Sequence, residues 1–220
     1  MLNFLRTLPP MLTRPSTTLV TYEDGASLAE FYPPGSNYLG RQVVPPDNKL
    51  ADGSRSFFPP PSHIHLLQDE IFTVTSGEGI WYIRGREPVR VKAGDEPLVI
   101  KQFVPHRFEN VPGSTEPLVI EYKWDAEMRE MEMRFFYNVF GYMDDCARAK
   151  MPLSILQLCV ICSDAWMPVD LGVPGPNFIN LTISTLFMFT ASAIGKYIFG
   201  YKASYPEYYQ KENLDLKKTT

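Results

Sequence analysis

All three histidines of this 220-residue chain, His63, His65 and His106, fall where one metal ion would want them. The run reads His63-Ile64-His65, then four residues to Glu70; His106 comes forty-one positions after His65, and Asn110 four positions later. Imidazole is the commonest metal-ligand side chain. Three neutral imidazoles and one carboxylate form a borderline-hard donor set. It suits Fe(II), Mn(II), Zn(II), Ni(II) or Cu(II) and is wrong for Ca(II). Such a set leaves one or two coordination positions for water, O2 or substrate. It also commits every histidine, so nucleophilic Ser or Cys catalysis has no imidazole base. Any acid–base role then falls to Glu70, a tyrosine or water.

These residues must be brought together by strands. In a strand, positions i and i+2 share a face. A strand over His63–His65 therefore presents two imidazoles side by side, with Ile64 opposite. Gln68-Asp69 allows a turn, and Glu70 opens the next strand with Phe72 and Val74 on its face, Ile71 and Thr73 facing away. His106 lies on a later strand together with Phe108. Strand-like runs cover Thr17–Tyr22, Tyr38–Val44, Ile71–Thr75, Ile80–Ile83, Val89–Val91, Pro97–Ile100 and Pro117–Trp124. Turn signals separate them (Ser76-Gly77, Arg84-Gly85, Ala93-Gly94-Asp95) at the spacing of an all-β sandwich or barrel. Ligands from several strands converge only if the sheet curls, as in a small barrel whose interior holds side chains or one small ligand.

Alternation predicts the barrel lining. Phe72 and Phe108 share faces with the ligands, and only one of Trp81 and Tyr82 can point inward. Leu118, Ile120, Tyr122 and Trp124 form an inward set, with Glu121 and Lys123 outward; Arg107 points out of the barrel. Phe72, Trp81, Phe108 and Tyr122 are the expected substrate-pocket residues, the competing reading for each being ordinary core. An aromatic interior without an Arg/Lys cluster favours an apolar or aromatic small molecule over a sugar phosphate. The chain has no G-x-G-x-x-G, P-loop or G-x-S-x-G motif, and Gly77-Glu78-Gly79 reads as a hairpin turn.

Composition sets the outer bounds. Hydrophobic residues make up 45% and charged residues 21%, a globular balance, and the net charge of -4 gives no basic field for nucleic acid. Twenty prolines, many paired, mark turns and strand edges. Three cysteines make no disulfide framework and suit a reducing compartment. Cys159 and Cys162 are formally C-x-x-C, but apolar flanks make them buried helix residues rather than a redox pair. The stretch Met1–Leu12, broken by Pro9-Pro10, is no secretory signal. The expected location is intracellular, cytoplasmic or membrane-associated.

After residue 124 the period changes. Met128, Met131, Phe135, Val139, Tyr142 and Cys146 mark one helical face, with Asp125 at the N-cap position. A second helix is expected over Leu153–Ile161. The twenty-five residues Leu171–Gly195 carry no charge, and Asn177–Gly195 approaches the roughly 20 residues that cross a bilayer. That segment reads as a spanning helix, a peripheral membrane contact, or a helix buried against the barrel or in a dimer interface. The tyrosine-rich tail from Ala203 reads as surface.

The ligand spacing resembles a known family. His63-x-His65-x4-Glu70-x6-Gly77 matches the first motif of the cupin superfamily, and His106-x3-Asn110 matches the end of the second, with Gly94-Asp95 resembling its opening turn. Three positions depart from the pattern. Phe57 replaces the leading glycine of the first motif. Ile100 and Gln102 replace the P-x-G of the second, with one extra residue before His106. The resemblance implies a mainly β fold, a double-stranded β-helix (jelly-roll) barrel of the small single-barrel type with a C-terminal helical appendage. It implies an arm and barrel over 1–124, core about 40–124, and a helical region over 125–220. It implies one divalent metal, Fe(II) favoured, on His63, His65, Glu70 and His106. The helix around Met128–Arg148 and the closing Gly200-Tyr201-Lys202 and Ser204-Tyr205-Pro206-Glu207-Tyr208 resemble cupin proteins of natural-product gene clusters in filamentous fungi. That likeness implies a metal-dependent oxygenase tailoring a small metabolite, with Glu70 as catalytic residue. The alternatives are a redox-neutral isomerase, cyclase or decarboxylase, and a non-enzymatic binding or assembly protein. A homodimer is the default assembly.

Overall fold

The computed structural model describes residues 6–14, 17–123 and 125–211. These fall into two compact units. One comprises 19–129 with 169–172; the other gathers the chain before residue 19, 130–168 and the chain from 173.

The first unit is the barrel. Its strands are β1 (Leu19–Tyr22), β2 (Ser27–Phe31), β3 (Gly40–Val44), β4 (Glu70–Ser76), β5 (Glu78–Ile83), β6 (Val89–Lys92), β7 (Leu98–Ile100), β8 (His106–Asn110) and β9 (Leu118–Lys123). They build two antiparallel sheets, ordered β1-β2-β3-β9-β4-β7 and β6-β5-β8. The pairings β3–β9, β9–β4, β4–β7 and β5–β8 join strands that are not consecutive in sequence, the jelly-roll signature of a chain that crosses between sheets. Phe72 of β4 meets Trp81 of β5 at 5.5 Å and Phe108 of β8 at 5.3 Å, ring centre to ring centre, so the two sheets face each other across an aromatic core.

Alternation sorts the strands as expected. Glu70, Phe72 and Val74 are buried while Ile71 and Thr73 are half-buried. In β9, Leu118, Ile120 and Tyr122 are buried, Glu121 half-buried and Lys123 exposed; Trp124 lies outside the described residues. The β4–β5 hairpin depends on Gly77. Its φ of +74° suits glycine, and a Cβ there would sit 2.5 Å from the Pro117 carbonyl oxygen. At Gly79 a Cβ would meet the Trp81 ring at 2.6 Å, so the missing side chain makes room for the indole.

Two expectations need correction here. His63–His65 is an extended segment outside both sheets, touching the ladder through single bridges from His63 to His106 and Val169. Strand β2 carried no sequence signal strong enough to be read: Ser, Ala and Glu are poor strand formers. Its pairing with β1 and β3 buries Ser27, Ala29 and Phe31 all the same.

The second unit holds α1 (Arg129–Arg148), α2 (Ile155–Asp164) and α3 (Asn177–Ile194), the last continuing in wider π-type turns over Gly195–Phe199. The buried face of α1 is broader than the expected stripe. It includes Met133, Phe136, Tyr137 and Phe140, whereas Met128, Met131 and Phe135 are half-buried. Asp125 precedes the first helical turn but its side chain caps nothing. Ser154 caps α2 by accepting from Gln157 N at 3.4 Å. Cys159 and Cys162 are free and buried. The described part of the tail is not all surface: Tyr205 and Tyr208 are buried, as is Tyr201 just before it. Tyr205 Oη donates to Gln157 and Tyr208 Oη donates to Asp145, each at 2.7 Å.

Candidate metal centre

The four expected ligands converge in the barrel unit. Each of His63, His65, Glu70 and His106 offers one ligand atom, and the four atoms lie within 4.8 Å of one another. Glu70 is the first residue of β4 and is held in register by Ile100 of β7. His106 opens β8, opposite Ile83. The two histidine segments are stitched directly, His63 N to His106 O at 2.9 Å and His106 N to His63 O at 3.0 Å. Phe103 N donates to His65 O at 2.9 Å, fixing the second imidazole's backbone.

Backbone carbonyls orient two rings in the same way. His63 Nδ1 lies 3.0 Å from Pro61 O and His106 Nδ1 2.9 Å from Val104 O, each carbonyl two residues upstream of its histidine. A proton on Nδ1 leaves Nε2 as the lone-pair nitrogen facing the centre, the tautomer a metal ligand needs. Sequence reading missed these partners because a backbone carbonyl leaves no residue-type signal.

Glu70 Oε2 lies 2.9 Å from His106 Nε2 and 3.2 Å from His65 Nε2. Burial alone would raise the Glu70 pKa. The His65 and His106 rings outweigh it and hold the carboxyl ionised, well below the usual carboxylate range. His63 is the least buried of the four. Burial, then the neighbouring His106 and His65 rings, lower its pKa to about 3, so it is a neutral donor.

This arrangement calls for a cation. Both nitrogens of His106 face acceptors, Val104 O and Glu70 Oε2, and a neutral imidazole has one N–H for the two. A second proton or a metal ion must supply the balance. The donor types fit a metal. Metal–ligand distances of about 2.0–2.2 Å place opposed ligands at most ~4.4 Å apart. Four atoms within 4.8 Å need close by only a few tenths of an ångström.

The four expected pocket aromatics are all buried, Phe72 at 1%, Trp81 at 0%, Phe108 at 4% and Tyr122 at 1% exposure. Phe72 lies 6.5 Å from the His106 ring, so this aromatic layer begins directly against the ligands. Trp81 Nε1 is buried with no hydrogen-bond acceptor among the described residues. Arg107 lies outside this layer, with its guanidinium 3.8 Å over the Tyr82 ring. Asn110, at the end of the motif, binds no metal. It is a clamp, exchanging bonds with Asn48 at 2.7 and 2.8 Å and donating to the Pro45 and Glu116 carbonyls at 3.1 and 2.9 Å.

No family model matches the chain. A probable oxidoreductase of Hypocrea virens, virH, is 34% identical over 157 residues, covering 69% of this chain and 68% of that protein. Oxidoreductase iacF of Pestalotiopsis fici is 31% identical over 124 residues, half of this chain and 60% of its own. Among solved structures, the Cnp3 cupin domain of Schizosaccharomyces pombe matches with a TM-score of 0.32 at 11% identity, over 52% of this chain and 70% of that one. An L-ribose isomerase of Acinetobacter sp. DL28 matches with a TM-score of 0.30 at 19% identity, over 38% of this chain and 45% of the other. At such scores the fold assignment stands on the strand order and the converged ligands. Those features place the protein in the cupin superfamily, and a relative at 34% identity across two thirds of both chains places it in one family with that probable oxidoreductase.

Proposed function

We propose that this protein is a metal-dependent oxidoreductase, an oxygenase using Fe(II), that tailors a small apolar or aromatic metabolite in secondary metabolism. The observation that carries the reading is the His63–His65–Glu70–His106 cluster, whose buried carboxylate and twice-accepted imidazole require positive charge at one point. Two relatives that bear the name oxidoreductase support the redox assignment.

A divalent ion on these four residues would supply a Lewis-acidic centre with open positions and, as Fe(II), a means of reacting with O2. The chain's residues prepare that centre. Pro61 O and Val104 O hold His63 and His106 in the Nε2-donor tautomer. Its neighbours hold the Glu70 carboxyl towards the ionised form, which suits it to act as a ligand or a proton acceptor. Phe72, Trp81, Phe108 and Tyr122 exclude water from the side of the ligands and present an apolar wall. Within that wall Trp81 Nε1 is a buried donor with no acceptor among the described residues. Substrate reaches the centre past His63, the least buried ligand.

Native purification followed by mass spectrometry of bound metals tests this. Near-stoichiometric iron, with O2 uptake on a phenolic substrate, is the expected result. Zinc or manganese without O2 uptake assigns a redox-neutral isomerase, cyclase or decarboxylase instead. Absence of metal, with ligand binding unchanged in His63→Ala and His106→Ala, would leave a binding protein.

A further inference from the structure

Helix α3 is built inside out. Its buried residues are Asn180, Ser184, Met188, Ala191 and Ser192, and its exposed face, which also carries Thr182 and Thr190, is dominated by large apolar residues. Phe178 is 67% exposed, Leu186 62% and Tyr197 75%, with Ile179, Ile183, Phe187, Ile194 and Ile198 also open. The inward polar groups have partners. Ser192 Oγ lies 2.7 Å from Ser163 Oγ of α2, and Asn180 Oδ1 accepts from Val173 N at 2.8 Å. Packing fixes which side faces out: a Cβ on Gly195 would lie 2.8 Å from Val160 Cγ2 and 3.1 Å from Leu156 O. The outward apolar face is therefore what this packing leaves, and among the described residues of this unit no element covers it.

The geometry points to a lipid bilayer as the partner of this face, with α3 lying in the membrane interface and its outward residues in the acyl region. Four observations favour lipid. At 100° per residue, the exposed positions from Phe178 to Ile198 sweep roughly 200° of the helix. A single helix of a second copy covers a narrower seam than that, whereas a bilayer covers the whole arc. The stretch from Leu171 to Gly195 contains no charge to repel hydrocarbon. It gives way to Lys196 and Tyr197, residue types that favour the membrane–water boundary. The apolar surface also continues onto α2 as a shallow groove of about 480 Å³, lined by Ile155, Leu156, Ile183, Leu186, Phe187 and Ile194, open to an acyl chain.

The helix is long enough to span, at 23 residues to Phe199, or ~34 Å of rise. Its packing argues for lying flat. The α2 helix against its inner side ends at Asp164, which pairs with Arg134 of α1 at 2.7–2.8 Å. Spanning with this packing intact would carry that ion pair into hydrocarbon.

Sedimentation of the full chain with phosphatidylcholine vesicles tests the proposal. The protein should pellet with them equally with or without anionic lipid, and still do so in about 1 M salt, where charge attraction is screened within roughly 3 Å. It should leave the pellet in alkaline carbonate. The pair Phe178→Glu/Leu186→Glu should weaken partition at least about a hundredfold, since each large apolar side chain contributes on the order of tenfold. Both sites are exposed, so the melting temperature should hold; if the Glu pair unfolds, Phe178→Ser/Leu186→Ser replaces it. Protein left in the supernatant overturns the proposal. So does a dimer by light scattering that the Glu pair dissociates while vesicle binding is nil, which would assign the face to a second copy. Resistance to carbonate would assign a span. None of these outcomes depends on the metal centre.

Discussion

Asp145 in the helical unit and Glu70 in the barrel are both deeply buried carboxylates, at 1% and 5% exposure, and they are neutralised in different ways. Asp145 is met by protein donors on both oxygens. Oδ1 takes the Arg14 guanidinium at 2.7 Å, and Oδ2 takes Leu12 N at 2.9 Å and Tyr208 Oη at 2.7 Å. Arg14 also binds Asp144 at 2.6 Å. Burial works against the Arg14 charge, but these two carboxylates prevail and raise its pKa further. Glu70 faces imidazoles alone, held by carbonyls in a form that has lone pairs to offer. A buried anion with its own guanidinium is a fastener. A buried anion among oriented imidazoles is a receptor for a cation the chain does not encode. The difference separates a structural network from a candidate site more sharply than burial or pKa alone.

Breaking the fastener should give the largest effect. Asp145→Ala leaves Arg14, Tyr208 Oη and Leu12 N without their acceptor. Removing one partner of a buried ion pair costs about 3–5 kcal/mol, so chemical denaturation should show a loss of that order. Bound metal, measured per folded protein, should not change. A matching loss of metal would merge the two networks.

Glu70→Gln should do the reverse. The fold favours the ionised carboxylate, so metal-free protein should lose some stability, less than Asp145→Ala does. Metal affinity should fall by at least about 100-fold, the upper end of the cost of losing even an outer-sphere partner. Isothermal titration with Fe(II) or Zn(II) reads this. A strongly destabilised apo variant with intact metal binding would recast Glu70 as a fastener too.

The barrel half of this contrast was legible in the sequence and the helical half was not, for a physical reason. A strand with one buried face writes itself as alternation, so Glu70, Phe72 and Val74, or Leu118, Ile120 and Tyr122, could be assigned from spacing. The ligands are residue types with few other uses in this chain. The extended His63–His65 segment has the same period as a strand and differs only in lacking a ladder. The fastener is long-range and irregular. Arg14, Asp145 and Tyr208 lie more than sixty positions apart, and nothing local marks Tyr205 or Tyr208 as buried. Helix α3 runs against the usual rule, since Asn180, Ser184 and Ser192 face in while most of its large apolar residues face out.

The helical unit should also respond to alkali. Burial raises the pKa of Cys162 from 9.0 to about 12, and that of Cys159 in the same direction. The folded state holds these thiols protonated where the unfolded chain releases the proton. Their contribution is thus complete below pH 9 and is lost as pH climbs from 9 towards 12. For Cys162 the loss is on the order of 1 kcal/mol by pH 10. Denaturation midpoints from pH 8 to 10 should fall, and less steeply in Cys162→Ala. Rapid labelling of native Cys162 by a thiol reagent at pH 8.5 would contradict the burial.

The smallest effect belongs to the turn that delivers His106. Phe103 follows Gln102, which stands at the glycine position of the second cupin motif. Phe103 adopts φ +66°, the left-handed region that favours glycine. Val104 N bonds to Lys101 O at 3.3 Å, closing a turn with Phe103 at its third position. A side chain in this region costs roughly 1–2 kcal/mol. Phe103 is 40% exposed, so its ring returns little of that by burial. Phe103→Gly should therefore stabilise the fold by about 1 kcal/mol, less the extra entropy of an unfolded glycine. Because Phe103 N holds His65 O, metal affinity should be unchanged or slightly improved. A fall in both stability and metal binding would mean that the Phe103 ring, rather than the turn, positions the second histidine.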